Sequence, residues 1–323
     1  MQTYCVFNKK LFRFEGKENS EMLKSKYVLI FGIIIIFASG KIFAQGSIAP
    51  ENLEAIHSME DSLLITADSM YHAFIPDERE VYCQRFVKQL VKTLKIPNSF
   101  DYTFDKLKDV VNIIYPDDKS FRIFNWDIVP TSVTRRYYGA IQLPGDQLKL
   151  YPLIDYTEEL GKLAEDSVLT NSKWYGALYY RIIEHDANGQ KLYTLFGLNA
   201  SSPISNKKVL DVLEFTPDGA EFGAPIFNVG SESQPGHRID RYIMEYKKEV
   251  EASLNFDSSL GVIFFDKLVS QVNDPNRKYT YVPSGEYDGF KWHDDQWNYV
   301  QDLIPVQNLK DGQAPEGDKP VDK

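Results

Sequence analysis

Trp174-Tyr-Gly-Ala-Leu-Tyr-Tyr-Arg-Ile-Ile-Glu-His-Asp-Ala-Asn-Gly-Gln-Lys-Leu-Tyr-Thr-Leu-Phe-Gly-Leu198 is the stretch on which the fold turns. In an extended chain, side chains alternate between two faces. Trp174, Gly176, Leu178, Tyr180 and Ile182 then share one face, and Tyr175, Ala177, Tyr179, Arg181 and Ile183 share the other. Both faces are apolar or aromatic, whereas a half-wet strand alternates with polar residues. Glu184 to Gln190 holds Asp186 and Asn188-Gly189, residues that tolerate the positive φ of tight turns. Lys191 to Leu198 returns as a second apolar strand. The reading is a hairpin in mid-sheet, with both faces covered by other parts of the chain.

Upstream lie the candidates for that cover. Leu53, Ile56, Met59 or Glu60, Leu63, Ala67, Met70 and Phe74 recur at three- and four-residue steps and predict a helix over 50–74. Pro76 opens a second helix with Asp77, Glu78 and Glu80 near its positive end, and Pro97 stops it. A shorter helix is expected at Phe104–Val111. From Phe121 onward the chain reads as strand and turn. Hairpins are expected around Pro144-Gly145 and Pro217-Asp-Gly219, and a turn-rich one across Tyr279–Phe290. Tyr242–Phe256 alternates over 15 residues, longer than an ordinary strand, so a turn is expected near Lys248. A last helix is expected over Asp294–Leu303. The fold class is therefore α+β: an N-terminal helical hairpin packed on a large antiparallel β-sheet, open or curved. Its helical part is 45–120 and its β-rich part is 121–307, within one domain. Residues 308–323 are polar, with two Gly and two Pro, and read as a disordered tail.

The N-terminus reads as an address. Met22-Leu-Lys-Ser-Lys-Tyr27 is a positive start, Val28–Phe37 is an apolar run, and Ala38 to Gln45 offers a cut after Ala44. The run is too short to span a bilayer as a helix. Residues 22–44 thus read as a signal peptide, with an uncleaved anchor as the alternative, residues 1–21 as an upstream extension, and Met22 as the expected start of translation. The expected location is the periplasm or the cell exterior, with membrane contact only before cleavage. Removing 1–44 takes seven of the 36 basic and three of the 46 acidic residues, which moves the formal charge from −10 to −14. Such a balance argues against a nucleic-acid partner, which calls for a basic face. Cys83 remains the only cysteine, so no internal disulfide can form and its expected role is packing.

Chemistry is sparsely marked. The five histidines, His57, His72, His185, His237 and His293, form no metal-ligand spacing, and neither metal nor cofactor is expected. There is no GxSxG, P-loop or GxGxxG motif. His185-Asp186 would suit acid–base work only if both side chains met, and adjacent strand residues point apart. Asp117–Asp127 is like one propeller blade end, but no period repeats it. The richest cluster is Glu286-Tyr-Asp-Gly-Phe-Lys-Trp-His-Asp-Asp-Gln-Trp297. Glu286, Asp288 and His293 are its candidate catalytic groups. Tyr287, Trp292 and Trp297 are candidates to stack a ligand, as aromatic faces stack sugars. Asp294 and Asp295 add carboxylates of the kind Ca²⁺ prefers, without calcium-loop spacing.

Phe121-Arg-Ile-Phe-Asn-Trp126, Tyr138-Gly-Ala-Ile-Gln142, Trp174-Tyr-Gly-Ala-Leu-Tyr179 and Tyr287-Asp-Gly-Phe290 together resemble a group of exported bacterial proteins of the Bacteroidota type. That group has no assigned activity, so the resemblance implies export and a strand-rich fold and transfers no functional residue. Two function classes follow. The favoured one is a non-enzymatic binding or structural module whose partner is an envelope protein or a glycan. The other is a hydrolase of envelope glycans or peptides that uses carboxylates near the C-terminal aromatic cluster.

Overall fold

Two helices come first in the computed structural model, which describes residues 48–130, 135–231 and 234–304. The expected upstream extension, signal peptide and polar tail lie outside the described residues. Helices α1 (Pro50–His72) and α2 (Pro76–Leu94) each begin on a proline, whose fixed φ suits a first turn. Ile56, Leu63, Ala67 and Met70 of α1 meet Cys83, Phe86, Leu90 and Leu94 of α2. Among the described residues no helix is long and apolar enough to cross a membrane.

The rest is strand-rich and falls into three sheets. The first is β1 (Asn112–Ile114), β2 (Arg122–Ile128), β3 (Arg136–Leu143) and β4 (Lys149–Ile154), in that order. The second holds β5 (Leu169–Thr170), β6 (Leu178–Ala187), β7 (Gln190–Asn199), β8 (Ser205–Thr216) and β9 (Gly219–Phe222), in the order β5-β9-β8-β7-β6, with β12 (Tyr242–Lys247) also paired to β8. The third is β11 (Arg238–Ile239), β10 (Phe227–Asn228), β16 (Gln296–Ile304), β15 (Tyr281–His293), β14 (Val262–Ser270) and β13 (Leu254–Asp257). Pairing is antiparallel except between β10 and β16. One sheet curls strongly, as a half-barrel. The α+β reading holds, with the β half divided among three sheets.

Alternation along the strands explains the layering. Phe124, Trp126 and Ile128 of β2 point to the helices. Ile123 of β2 and Tyr137 and Ile141 of β3 point the other way, onto Tyr179, Leu195, Val209 and Leu213 of the central sheet. That sheet's opposite face, with Phe196, Leu210 and Val212, packs on Ile263, Phe265 and Phe290 of the third sheet. The central hairpin is therefore buried on both sides, as its composition requires. Its cover is two sheets, and the helical hairpin shields the first sheet instead.

Several local expectations are corrected. The register of β6 breaks between Tyr179 and Arg181, so Tyr180 is an extra residue. Such a bulge swaps the faces downstream of it. Ile182 joins the Tyr179 side, and Arg181 turns to the third sheet, where it donates to the Phe256 carbonyl at 2.9 Å. The turn is Asn188-Gly189 itself, both at positive φ (52° and 79°), as a two-residue hairpin needs. Phe104–Val111 forms only a 3₁₀ turn, Leu107–Asp109. Tyr279–Phe290 is no hairpin, because β15 runs straight through Pro283-Ser-Gly285 by bulging against β14. The expected helix Asp294–Leu303 is the strand β16, reached through a turn in which Asp294 and Asp295 adopt positive φ. Its acidic start resembles a helix N-terminus, but cross-strand pairing of Trp297 with Trp292 decides the outcome. Tyr242–Phe256 does break after Lys247, and its halves enter different sheets.

Candidate functional site

The structure separates the candidates drawn from the C-terminal cluster. Glu286 sits on the β15 bulge, paired with Lys267 at 2.8 Å. His293 is 77% exposed at the hairpin end, beside Asp294 at 2.9 Å. It is five residues from Asp288 along one strand, an odd step that puts it on the opposite face about 17 Å away. Trp292 and Trp297 are core residues: their rings pack at 5.1 Å, His185 lies 4.2 Å from Trp292, and the Trp297 indole donates to Thr194 Oγ1 at 3.1 Å. Tyr287 lies edge-on to Phe264. Glu286, Asp288 and His293 do not converge, and Asp294 lies at the turn beside His293 alone. Among the described residues, no group of three His, Cys, Asp or Glu side chains could hold a metal.

Asp288 turns inward, and it opens onto a hollow beside β12. Strand β12 pairs with the first part of β8, Ser205–Leu210, and β9 takes over from Leu213. Between them Arg241 and Asp211, both fully buried, pair at 2.9 Å. The guanidinium also donates to the carbonyls of Ala164 and Phe222, which anchors the segment before β12 and the 3₁₀ turn Gly161–Asp166. Facing β12 are the long strands β14 and β15. The gap between them is a cleft of about 910 Å³.

Each side chain in this cleft is held by backbone geometry. The pairing of β15 breaks toward β14 just before Asp288, between Pro283 and Tyr287, and toward β16 at Asp288 itself, between Tyr287 and Gly289. Breaks of this kind re-aim a side chain and recur beside binding sites. The Asp302 amide donates to its Oδ1 at 2.9 Å, and the Tyr299 phenol donates to its Oδ2. The Tyr299 ring is 38% exposed, so it is both open to the cleft and fixed in place. Glu165, on the 3₁₀ turn, accepts the Ile243 amide at 3.2 Å. Burial pushes its carboxyl above the usual range, and the Ile243 bond and the charges of Lys278 and Lys207 oppose that shift. Tyr242, at the head of β12, completes the set. Burial, reinforced by Tyr299, Asp288 and Glu165, holds its phenol well above the ordinary value, hence neutral.

Four carboxylates (Glu165, Glu245, Asp266 and Asp288) and three phenols thus line one cleft, with the Tyr299 side chain partly exposed. Carboxylates accept hydroxyl or amide donors, phenols do both, and a fixed aromatic face stacks on an apolar ring face. A second hollow of about 360 Å³, beside β3 and β4, offers less. Its Asp155 is saturated by the Tyr137 amide (3.0 Å), the Thr157 amide (3.0 Å) and the Thr157 hydroxyl (2.6 Å).

No family model, curated protein or solved structure matches this chain. The assignment of a site therefore stands on the geometry above. Of the cleft residues, sequence reasoning found only Asp288. Glu165, Tyr242 and Tyr299 were missed because they come from segments up to 134 residues apart (165 to 299) and share no motif. One signal was available: Tyr242 opens the buried face of the cleanest alternating stretch, where a phenol calls for a polar neighbour.

Proposed function

We propose that this chain is an exported binding module of the envelope or periplasm, and that its cleft holds a hydroxyl-rich ligand, a segment of glycan. The carrying observation is the exposed Tyr299 ring, pinned through its phenol to Asp288 and flanked by Tyr242 and Glu165. A rigid aromatic face beside carboxylate acceptors suits a sugar, whose one face is apolar and whose edges are hydroxyls. The positive start, apolar run and small-residue cut at 22–44 support export, as does the likeness to exported Bacteroidota proteins. Calorimetric titration with envelope glycan fragments tests the reading. Binding is expected for the native chain and at least tenfold weaker binding for Tyr299→Ala. Equal binding by that variant, or no binding of any fragment by the native chain, overturns it.

A hydrolase is the second reading, and one observation favours it. Glu165 is pushed toward its neutral form by burial, whereas Asp288 accepts two hydrogen bonds. Carboxylates in contrasting environments are how acid and base roles divide. New reducing ends released by the native chain, and lost in both Glu165→Gln and Asp288→Asn, support this reading. Binding without such release leaves the module reading in place.

A further inference from the structure

The lysines of the cleft separate into two kinds. Lys267 is neutralised twice, by Glu286 at 2.8 Å and Asp302 at 2.6 Å. Lys207 and Lys278 make no ion pair with any described residue. Lys207 is half-buried on β8, and its cross-strand neighbour Glu245 instead accepts the Ser205 hydroxyl at 2.6 Å. Lys278, in the 3₁₀ turn Lys278–Thr280, is exposed with its ammonium 4.5 Å from the centre of the Tyr281 ring. Both ammonium groups act on Glu165 from within the cleft. The chain is strongly acidic, at −10 overall. The cleft lining also carries four carboxylates, but each already accepts a hydrogen bond, Glu245 from Ser205, Asp266 from Ser253, Glu165 from the Ile243 amide and Asp288 from Tyr299, so Lys207 and Lys278 are the cations there left without an ion-pair partner among the described residues.

We infer that the cleft selects an anionic glycan, a sugar chain bearing carboxylate or sulfate groups, with Lys207 and Lys278 holding the anionic group and Tyr299 the sugar ring. This rests on the glycan reading of the same cleft and adds the charge of the ligand. The carboxylates have distinct places in it. Asp288 is already capped by the Tyr299 phenol and the Asp302 amide, and so does not face the anion bare. Glu165, which feels both lysines and is pushed toward neutrality by burial, can take up a proton as the anion arrives. Lysine suits this role as a mobile point charge that follows a flexible ligand.

The test titrates the full exported chain with four probes at fixed salt: trigalacturonate, the neutral galactose trisaccharide, a chondroitin sulfate hexasaccharide and a triglutamate peptide. Trigalacturonate or the sulfated chain is expected to bind at least tenfold more tightly than the neutral sugar. That preference should weaken as salt rises. Carboxylate and sulfate sources are told apart by which of the two binds better. The double variant Lys207→Gln/Lys278→Gln is expected to lose the preference, and Lys207→Arg/Lys278→Arg to keep it, with unfolding midpoints recorded for both. Equal binding of neutral and anionic sugars overturns this inference and leaves the glycan reading standing. Binding of triglutamate alone, or of none of the probes, overturns both.

Discussion

At the scale of single residues, the strongest structural demand comes from Arg241. Its guanidinium fills the break between β9 and β12, pairs with Asp211, and satisfies the carbonyls of Ala164 and Phe222. Asp211 also accepts the Tyr179 phenol at 3.1 Å, which in turn accepts the Trp174 indole N–H at 2.7 Å. Breaking one partner of a buried pair costs about 3–5 kcal/mol, because the other charge stays buried and uncompensated. Arg241→Met is expected to lose that much in urea unfolding, and Arg241→Met/Asp211→Leu to recover part of it. His185 carries a pH signature. Burial against Trp292 lowers its pKa from 6.5 to about 4, and the nearby Ile183 carbonyl and Asp186 only partly oppose this. Between those values the unfolded chain binds a proton that the folded chain refuses, so stability falls as pH drops from about 6.5 to about 4. The loss is roughly 3 kcal/mol when complete. His185→Phe is expected to flatten that slope relative to the native chain when unfolding is followed from pH 7 to pH 4.

At the scale of elements, local chemistry decided what could be read in advance. The helices were legible because their apolar steps and opening prolines act within one segment. The Asn188-Gly189 hairpin was legible because its turn needs two positive φ values. Strands β15 and β16 were misread for a reason of equal physical content. Ser284-Gly285 and Asp288-Gly289 look like turns, yet bulges absorb Ser284–Glu286, and Gly289 serves close packing. A Cβ at Gly289 would lie 2.3 Å from the Ile263 carbonyl oxygen and 2.5 Å from Leu303 Cδ2. Gly289→Ala therefore has to part β14 from β15, and overpacking of this kind costs about 1–3 kcal/mol. A lowered unfolding midpoint is the expected result, with faster amide exchange along β14. The cleft was not legible, because it arises from the meeting of several remote segments and not from any one pattern.

At the scale of the whole molecule, a central sheet covered by two others explains both stability and the place of the cleft. Apart from the buried Arg241–Asp211 pair the covered faces are largely apolar, and polar side chains able to meet a ligand gather where β12 ends the cover and β14 and β15 overhang it. Amides buried in mid-sheet open only with global unfolding, whereas an uncovered edge opens locally. The most direct measurement is hydrogen–deuterium exchange with and without a saturating amount of whichever of trigalacturonate and the chondroitin sulfate hexasaccharide binds more tightly. β7 and β8 are expected to exchange slowest in both states. Protection on adding the ligand is expected over Tyr242–Lys247, Lys278–Tyr281 and Asp288, and nowhere in the helical hairpin. Protection confined to any other surface, or none at all, would contradict the assignment of the cleft.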